Sequence, residues 1–386
     1  MKKASFSCAL YLILYYSVHV FYQGFLSKFY QQQGISGTAL MLLLVSAPLM
    51  AVFALPAWGT LSDRSKRRRR VLKSALAIAL LAMPCLYLSD SPYVMLPLVC
   101  VFAGCYIAVQ PMGDSLILEK LQSENKPFGP VRLAGCLAFA CVNLIGGILI
   151  KNDYAAVPLI VTIGVAVLLL GTHLLPDLPG HQQQGKKLAF SKVLHLPHIV
   201  PLLLLMMVLQ MSLGYFYSYF SIYFTALPGG SSGLLGLAYF LSATSETPFL
   251  LWGHKLFKRW GAGRMMLIAA ASLALRFLLL GVAEHAYLAL ASQVLHGLGF
   301  IVFTVCLSQY VSLTAPKELK TSAQMLLSIT GFGLARVPGI LFGGLLGQYL
   351  GGQSGVFLLL SGVCFAALIA FIPIFMKLPP LNGENK

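Results

Sequence analysis

The chain has 386 residues, 58% of them hydrophobic and only 10% charged, with a net charge of +16 and a mean hydropathy of +0.82. Soluble domains carry about 25% charged residues, so this chain lacks the polar surface to solvate a globule of its size, and a soluble fold is excluded. Apolar runs of the roughly 20 residues needed by a spanning helix recur along it, which makes it an all-α membrane protein.

The first apolar run predicts a helix over 5–29. Lys2 and Lys3 precede it, but no small-residue cleavage site follows, so it reads as a retained helix rather than a signal peptide. Tyr15, His19 and Tyr22 recur on one face at i, i+4 and i+7. They line a cavity or, for Tyr22 equally well, belong to an interfacial aromatic belt. The next helix, 36–61, runs into Gly59-Thr-Leu-Ser-Asp63-Arg64-Ser-Lys-Arg-Arg-Arg-Arg70. Helices 71–89 and 93–118 follow, the second bearing Gln110-Pro111 and Asp114. Helix 132–150 opens on Arg132, and 155–175 completes a first group of six.

The longest polar break, 176–196, contains Pro176, Pro179, Gly180 and Gln182–Gln184 and reads as a linker. Six more helices are predicted beyond it: 197–225 with Gln210 and Tyr217, 232–257 with Glu246, 265–283 with Arg276, 286–314 with His296, 321–349 with Arg336, and 353–377. The expected organisation is therefore twelve transmembrane helices in two pseudo-symmetric six-helix bundles, 1–175 and 197–386, joined by the linker 176–196. Gly59–Arg70 and Gly253–Arg264 both open on Gly and end in a basic cluster about half the chain apart, the mark of parallel halves.

With both termini in the cytoplasm, 22 of the 27 Lys and Arg fall on that side and only Lys28 and Lys151 outside; Arg132, Arg276 and Arg336 lie in or beside helices. Basic and neutral loops alternate as the positive-inside rule requires. A nucleic-acid protein has no reason to alternate, so the surplus is a topology signal, with attraction to anionic lipid secondary. Cys8, Cys85, Cys100, Cys105, Cys136, Cys141, Cys306 and Cys364 all sit in apolar stretches without a CxxC pair or His cluster. They read as small buried residues rather than as a metal site.

The loop Gly59–Arg70 resembles the cytoplasmic signature G-x-L-x-D-R-x-G-R-[RK] of the major facilitator superfamily, departing from it at Ser65-Lys66. The resemblance implies that Gly59, Asp63 and Arg64 form a conformational latch, with Asp63 accepting charge-assisted hydrogen bonds from a neighbouring helix terminus. Arg67–Arg70 are expected to be a solvated run that only sets topology. In the second half Phe257 holds the acidic position, so a matching latch there is degraded. Asp114-Ser-Leu-Ile-Leu-Glu119-Lys120 followed by Phe128-Gly-Pro-Val-Arg132-Leu-Ala-Gly135-Cys136 is similar to the helix 4–5 region of the lactose permease and phenylpropionate-permease-like group. Ser245-Glu246-Thr-Pro248, Arg276 and Gln293-Val-Leu-His296-Gly297 are most similar to the phenylpropionate side of that group.

The resemblance implies a secondary active transporter working by alternating access, without an organic cofactor and driven by the proton gradient. Asp114 and Arg132, placed to pair across a helical hairpin, are expected to bind substrate with His19, Gln110 and Arg336; a structural ion pair is the plain alternative. A charge at mid-bilayer costs roughly 2.5–3.5 kcal/mol on insertion scales, which argues for use rather than accident. Glu246, Arg276 and His296 are expected to couple proton movement. A carboxyl moved between an apolar pocket and a guanidinium exchanges its proton, and an imidazole can relay it. Gly299 stands where the sugar permease has a further carboxyl, so a His–Glu pair within helix 10 is not available. Arg336 lacks an obvious acid and is expected to face Glu246 or a substrate carboxylate.

The expected partners are a small-molecule substrate (a sugar, nucleoside or aromatic acid) and the bilayer of the plasma membrane, with a monomer as the default. An exporter or uniporter of the same fold, or a membrane sensor, are the alternatives. Against an enzyme or an ATP-driven pump, the chain has no HExxH, GxSxG, P-loop or paired acidic metal motif.

Overall fold

The computed structural model describes residues 3–180, 190–316 and 319–378, and among them every regular element is a helix. Lys2, Lys186, Lys187, Lys317 and Lys386 of the basic count, and 181–189 of the predicted linker, lie outside the described residues. The chain divides into two compact units, Met1–Lys186 and Lys187–Lys386.

The first unit holds α1 (Ser5–Gln32), α2 (Gly37–Arg64), α3 (Arg68–Leu88), α4 (Pro92–Ser123), α5 (Gly129–Ile150) and α6 (Val157–Leu174). The second holds α7 (Ile199–Ala226), α8 (Ser232–Gly253), α9 (Lys255–Gly281), α10 (Ala286–Phe300, helical on to Thr314), α11 (Ala323–Leu346) and α12 (Gln353–Phe375). Among the described residues, eleven of these are long and apolar enough to cross a membrane, and Ala286–Phe300 is a shorter apolar helix. They match the twelve predicted elements in order. Helices are what this composition permits in hydrocarbon, because each satisfies its own backbone hydrogen bonds. Leu81, Leu149 and Leu170 stand exposed on their outer faces, the pattern of a lipid-facing surface.

Local sequence explains the ends. Pro stands in the first turn of α4, α5 and α6, where its missing N–H costs nothing. Ser231 caps α8 by accepting from the amide of Leu234 at 3.2 Å. Asn125, left-handed at φ 52°, closes α4, with Lys126 N–H bonded to Leu121 O and Asn125 N–H to Gln122 O.

Three features depart from the expectation. The predicted loop between 257 and 265 is a single joint: α8 runs into α9 without a break at residue 254, helical from Thr247 to Gly281 except at Gly261, with φ 71° and ψ 171°. Two helices contain a π turn, Phe21–Phe25 in α1 and Ile329–Leu334 in α11, a distortion often found beside functional groups. The third concerns the basic run, which is not uniformly solvated. Arg68 is 3% exposed, pairs with Glu119 at 2.6 Å and also donates to Ser115. Arg69 donates to Leu175 O at 2.9 Å and lies 3.6 Å from the Asp177 carboxylate.

The start of the predicted linker takes part in the same arrangement. Arg68 N–H donates to Leu178 O at 3.0 Å and Gly180 N–H to Ser65 O at 2.7 Å, so 178–180 lies as a strap along the loop that follows α2.

Candidate functional site

In the first unit the predicted residues converge. Arg132 Nη1 meets Asp114 Oδ2 at 2.8 Å, pairing the start of α5 with α4, and both side chains keep partial exposure, 32% and 26%. One end of the amide of Gln110, one helical turn before Asp114, lies 3.0 and 3.2 Å from the same guanidinium's nitrogens and 3.1 Å from Tyr16 OH; because a guanidinium only donates, that end is assigned as the amide oxygen. The guanidinium also lies 5.1 Å from the Tyr16 ring centre. The Arg132 guanidinium is thus engaged by side chains of α4 and α1. Asp114 Oδ1 is buried and has no hydrogen-bond partner among the described residues.

The predicted face of α1 lies against α4 as an aromatic stack. His19 packs parallel to Tyr15 at 5.4 Å and to Tyr106 at 6.1 Å, and Tyr22 sits 5.2 Å from Tyr106. The belt alternative fails for Tyr15, which is 2% exposed. Asp114, Arg132, Gln110 and His19 thus belong to one polar and aromatic cluster.

The second unit builds a chain of hydrogen bonds around a sealed cation. Arg276 is 0% exposed. Its Nη1 donates to His296 Nδ1 at 2.7 Å, its Nη2 to Gln293 Oε1, and its guanidinium carbon lies 4.0 Å from the Phe216 ring centre. A 3₁₀ turn, Ser292–Leu295, explains how Gln293 and His296 reach one guanidinium, because side chains three apart eclipse in that geometry. Gln293 Oε1 accepts a second bond from Ser242 Oγ, and its amide nitrogen donates to Ala289 O.

An arginine only donates, so the Nδ1 it meets must be an acceptor and the imidazole proton sits on Nε2. That nitrogen faces Glu246 Oε1 at 3.2 Å and Tyr217 OH at 3.3 Å. The approach of α10 to α8 depends on Gly297. A Cβ there would lie 2.0 Å from Ser245 O, and Gly297 N–H instead donates to Ser245 Oγ at 2.9 Å. Glu246, His296 and Arg276 therefore form a line, with the guanidinium acting on the carboxylate through the imidazole.

Arg336 follows the π turn of α11. Its Nε donates to Gln210 Oε1 of α7 at 3.1 Å, and the rings of Tyr217 and Phe332 lie 4.9 and 5.0 Å from its guanidinium carbon. The expectation that it faces Glu246 is not met; among the described residues no carboxylate lies within ion-pair distance of it. Phe216, Phe332 and Ser242 were missed by the sequence reading. The i, i+4 spacing of Phe332 and Arg336 was the one available signal.

Gly59, Asp63 and Arg64 close α2, Asp63 and Arg64 both exposed. Among the described residues of its own unit, the Asp63 carboxylate makes no ion pair. Its backbone carbonyl lies close against Gly180 of the 178–180 strap, whose hydrogen bonds go to Ser65 and Arg68.

The architecture is that of a multi-span helical carrier with a polar cluster in each unit. The model of the MFS_1 like family matches residues 6–359, and the chain belongs to that family. The maltose permease of Geobacillus stearothermophilus is 27% identical over 368 residues, covering 94% of this chain and 92% of that protein. A probable 3-phenylpropionic acid transporter of Escherichia coli (strain K12) is 27% identical over 261 residues, 67% of this chain and 68% of that one. The crystal structure of the nucleoside transporter NupG superposes with a TM-score of 0.82 at 17% identity, covering 98% of this chain and 100% of that one. This likeness is one of fold. The chain is accordingly a membrane transporter of the major facilitator type, and not an enzyme.

Proposed function

We propose that the chain is a proton-coupled symporter of a small organic solute, acting as a monomer in the plasma membrane with both termini cytoplasmic and working by alternating access. The observation that carries this reading is the Glu246–His296–Arg276 line. Glu246 keeps 20% of its side chain exposed while His296 keeps 4%, so the carboxyl is the less enclosed member and the one placed to exchange a proton. Ionised, Glu246 accepts from His296 Nε2–H; protonated, it needs no cation. Loading and unloading one proton thus changes the charge of the cluster by one without breaking the Arg276 bonds that hold the imidazole.

The solute belongs to the classes carried by the relatives' names: a sugar, a nucleoside or an aromatic acid. In the first unit the buried, unpartnered Asp114 Oδ1 supplies an acceptor for a hydroxyl or amine once the cavity opens to it, Arg132, itself held by Gln110, keeps that carboxylate in place, and the His19 stack offers an apolar face. Arg336 supplies a donor in the second unit. Gly59, Asp63 and Arg64 serve as the latch; the exposure of Asp63 at the end of α2 leaves its carboxylate available for that contact.

Replacing Glu246 with Gln fixes the neutral form. The expected result is loss of uphill accumulation, with solute exchange preserved. Uphill accumulation by Glu246→Gln at the wild-type level contradicts the assignment, and proton-independent uptake by the wild type identifies a uniporter instead.

A further inference from the structure

Three guanidiniums, Arg132, Arg276 and Arg336, lie within the spans away from the basic loops, and the carboxylates on hand for them are two, Asp114 and Glu246, since Glu119 of α4 pairs with Arg68. Asp114 and Arg132 cancel as a pair. The second unit is left with two cations and one acid, hence one uncompensated positive charge when Glu246 is ionised and two when it is protonated. At mid-bilayer such a charge costs roughly 2.5–3.5 kcal/mol on insertion scales, so a counter-anion arriving during the cycle would be strongly favoured.

The geometry shows which cation can receive it. Arg276 cannot: it is fully buried, with both Nη atoms engaged and an aromatic ring against it. Arg336 is only part-buried. Its Nε is taken by Gln210, and Gln210 is itself 1% exposed, so the guanidinium is held in one orientation. Two rings lie against it. Among the described residues neither Nη makes a hydrogen bond or an ion pair. What remains is the two-pronged outer edge, the fork that matches a carboxylate. Gln210 and Phe332, two of the side chains that hold Arg336, also line a cavity of about 90 Å³ together with Ser308, Gln324 and Ser328.

We propose that Arg336 is the docking point for a carboxylate on the transported solute, and that the solute is a monocarboxylate with an apolar body placed against Tyr217 and Phe332. This rests on the reading of the chain as a solute carrier and narrows its substrate class. It does not depend on proton coupling. A guanidinium clasped by an amide oxygen and two rings solely to brace α7 against α11 would show the same internal contacts and bind no acid, and the test separates the two.

The test is calorimetric titration of the purified full-length chain in detergent, with no gradient. The probes are 3-phenylpropionate, benzoate and hexanoate, each beside its primary amide, with maltose and uridine as uncharged solutes. The expected result is that at least one acid binds while its amide binds at least about tenfold more weakly, and that Arg336→Gln weakens the acid roughly thirtyfold or more, as truncating one partner of a desolvated charge pair does. Arg336→Lys should lose less. The proposal is overturned if none of the acids binds, if an amide, maltose or uridine binds as tightly as the acids, or if folded Arg336→Gln retains wild-type affinity. Should Arg336→Gln fail to fold, the acid–amide comparison in the wild type decides alone. Failure here leaves the Glu246→Gln assay standing, and failure of that assay leaves this one standing.

Discussion

Arg68 shows how narrowly a single side chain is placed. It is one of four consecutive arginines, yet it alone is 3% exposed, with Glu119 and Ser115 as partners. Removing one member of a buried pair strands the other, typically at 3–5 kcal/mol; because Glu119 is 35% exposed, a loss of about 2–3 kcal/mol is expected for Arg68→Gln. Arg67 is exposed, and Arg67→Gln should fall within about 0.5 kcal/mol of the wild type. Thermal unfolding of the purified variants checks this: a fall of several degrees for Arg68→Gln and almost none for Arg67→Gln. Equal melting temperatures would contradict the ion-pair reading. No sequence pattern singled out Arg68, because its partner lies on another helix and the four arginines are chemically identical. By contrast, Asp114 and Arg132 were legible as opposite charges able to meet across a hairpin. Which side of an imidazole Arg276 meets was not legible at all, since that depends on a 3₁₀ turn of four residues.

At the scale of the element, apolar length located the spans to within a few residues, because a helix in hydrocarbon must be about as long as the bilayer is thick; the exception is α9, which begins at Lys255 rather than at the predicted 265. Breaks in that pattern were less legible. The stretch 257–265 reads as a polar loop, but its basic residues are carried by helix on both sides of Gly261. The π turns of α1 and α11 leave no trace in hydropathy. The strap at 178–180 was invisible for another reason: its bonds are between backbones, which no side-chain pattern reports. It nevertheless depends on one residue. A Cβ on Gly180 would fall 2.1 Å from Asp63 O and 2.7 Å from Ser62 O, both immovable backbone atoms. Gly180→Val should therefore detach the strap and expose the loop of residues 64–70, seen as faster tryptic cleavage there than in the wild type. An unchanged cleavage rate would mean that the strap does not hold the loop.

Across the whole molecule, the charge distribution serves two ends. Basic and neutral loops alternate along the sequence, the pattern expected to set orientation, while Asp114 with Arg132 and Glu246 with His296 and Arg276 form a polar cluster in each unit. Composition and loop charge were enough to establish the helical membrane class. The family followed from the Gly59–Arg70 loop and the α4–α5 residues. Direction of transport and coupling were not legible, because they are differences in energy between states rather than properties of one sequence pattern. The most direct test of the account uses proteoliposomes holding a pH-sensitive dye, with a bound solute supplied outside only. Wild-type vesicles should acidify internally as solute enters, beyond the change in protein-free vesicles, and Glu246→Gln vesicles should give no such signal, although the same vesicles preloaded with solute should exchange it. Solute entry with no accompanying proton movement, or with the lumen turning alkaline, would contradict proton symport through Glu246.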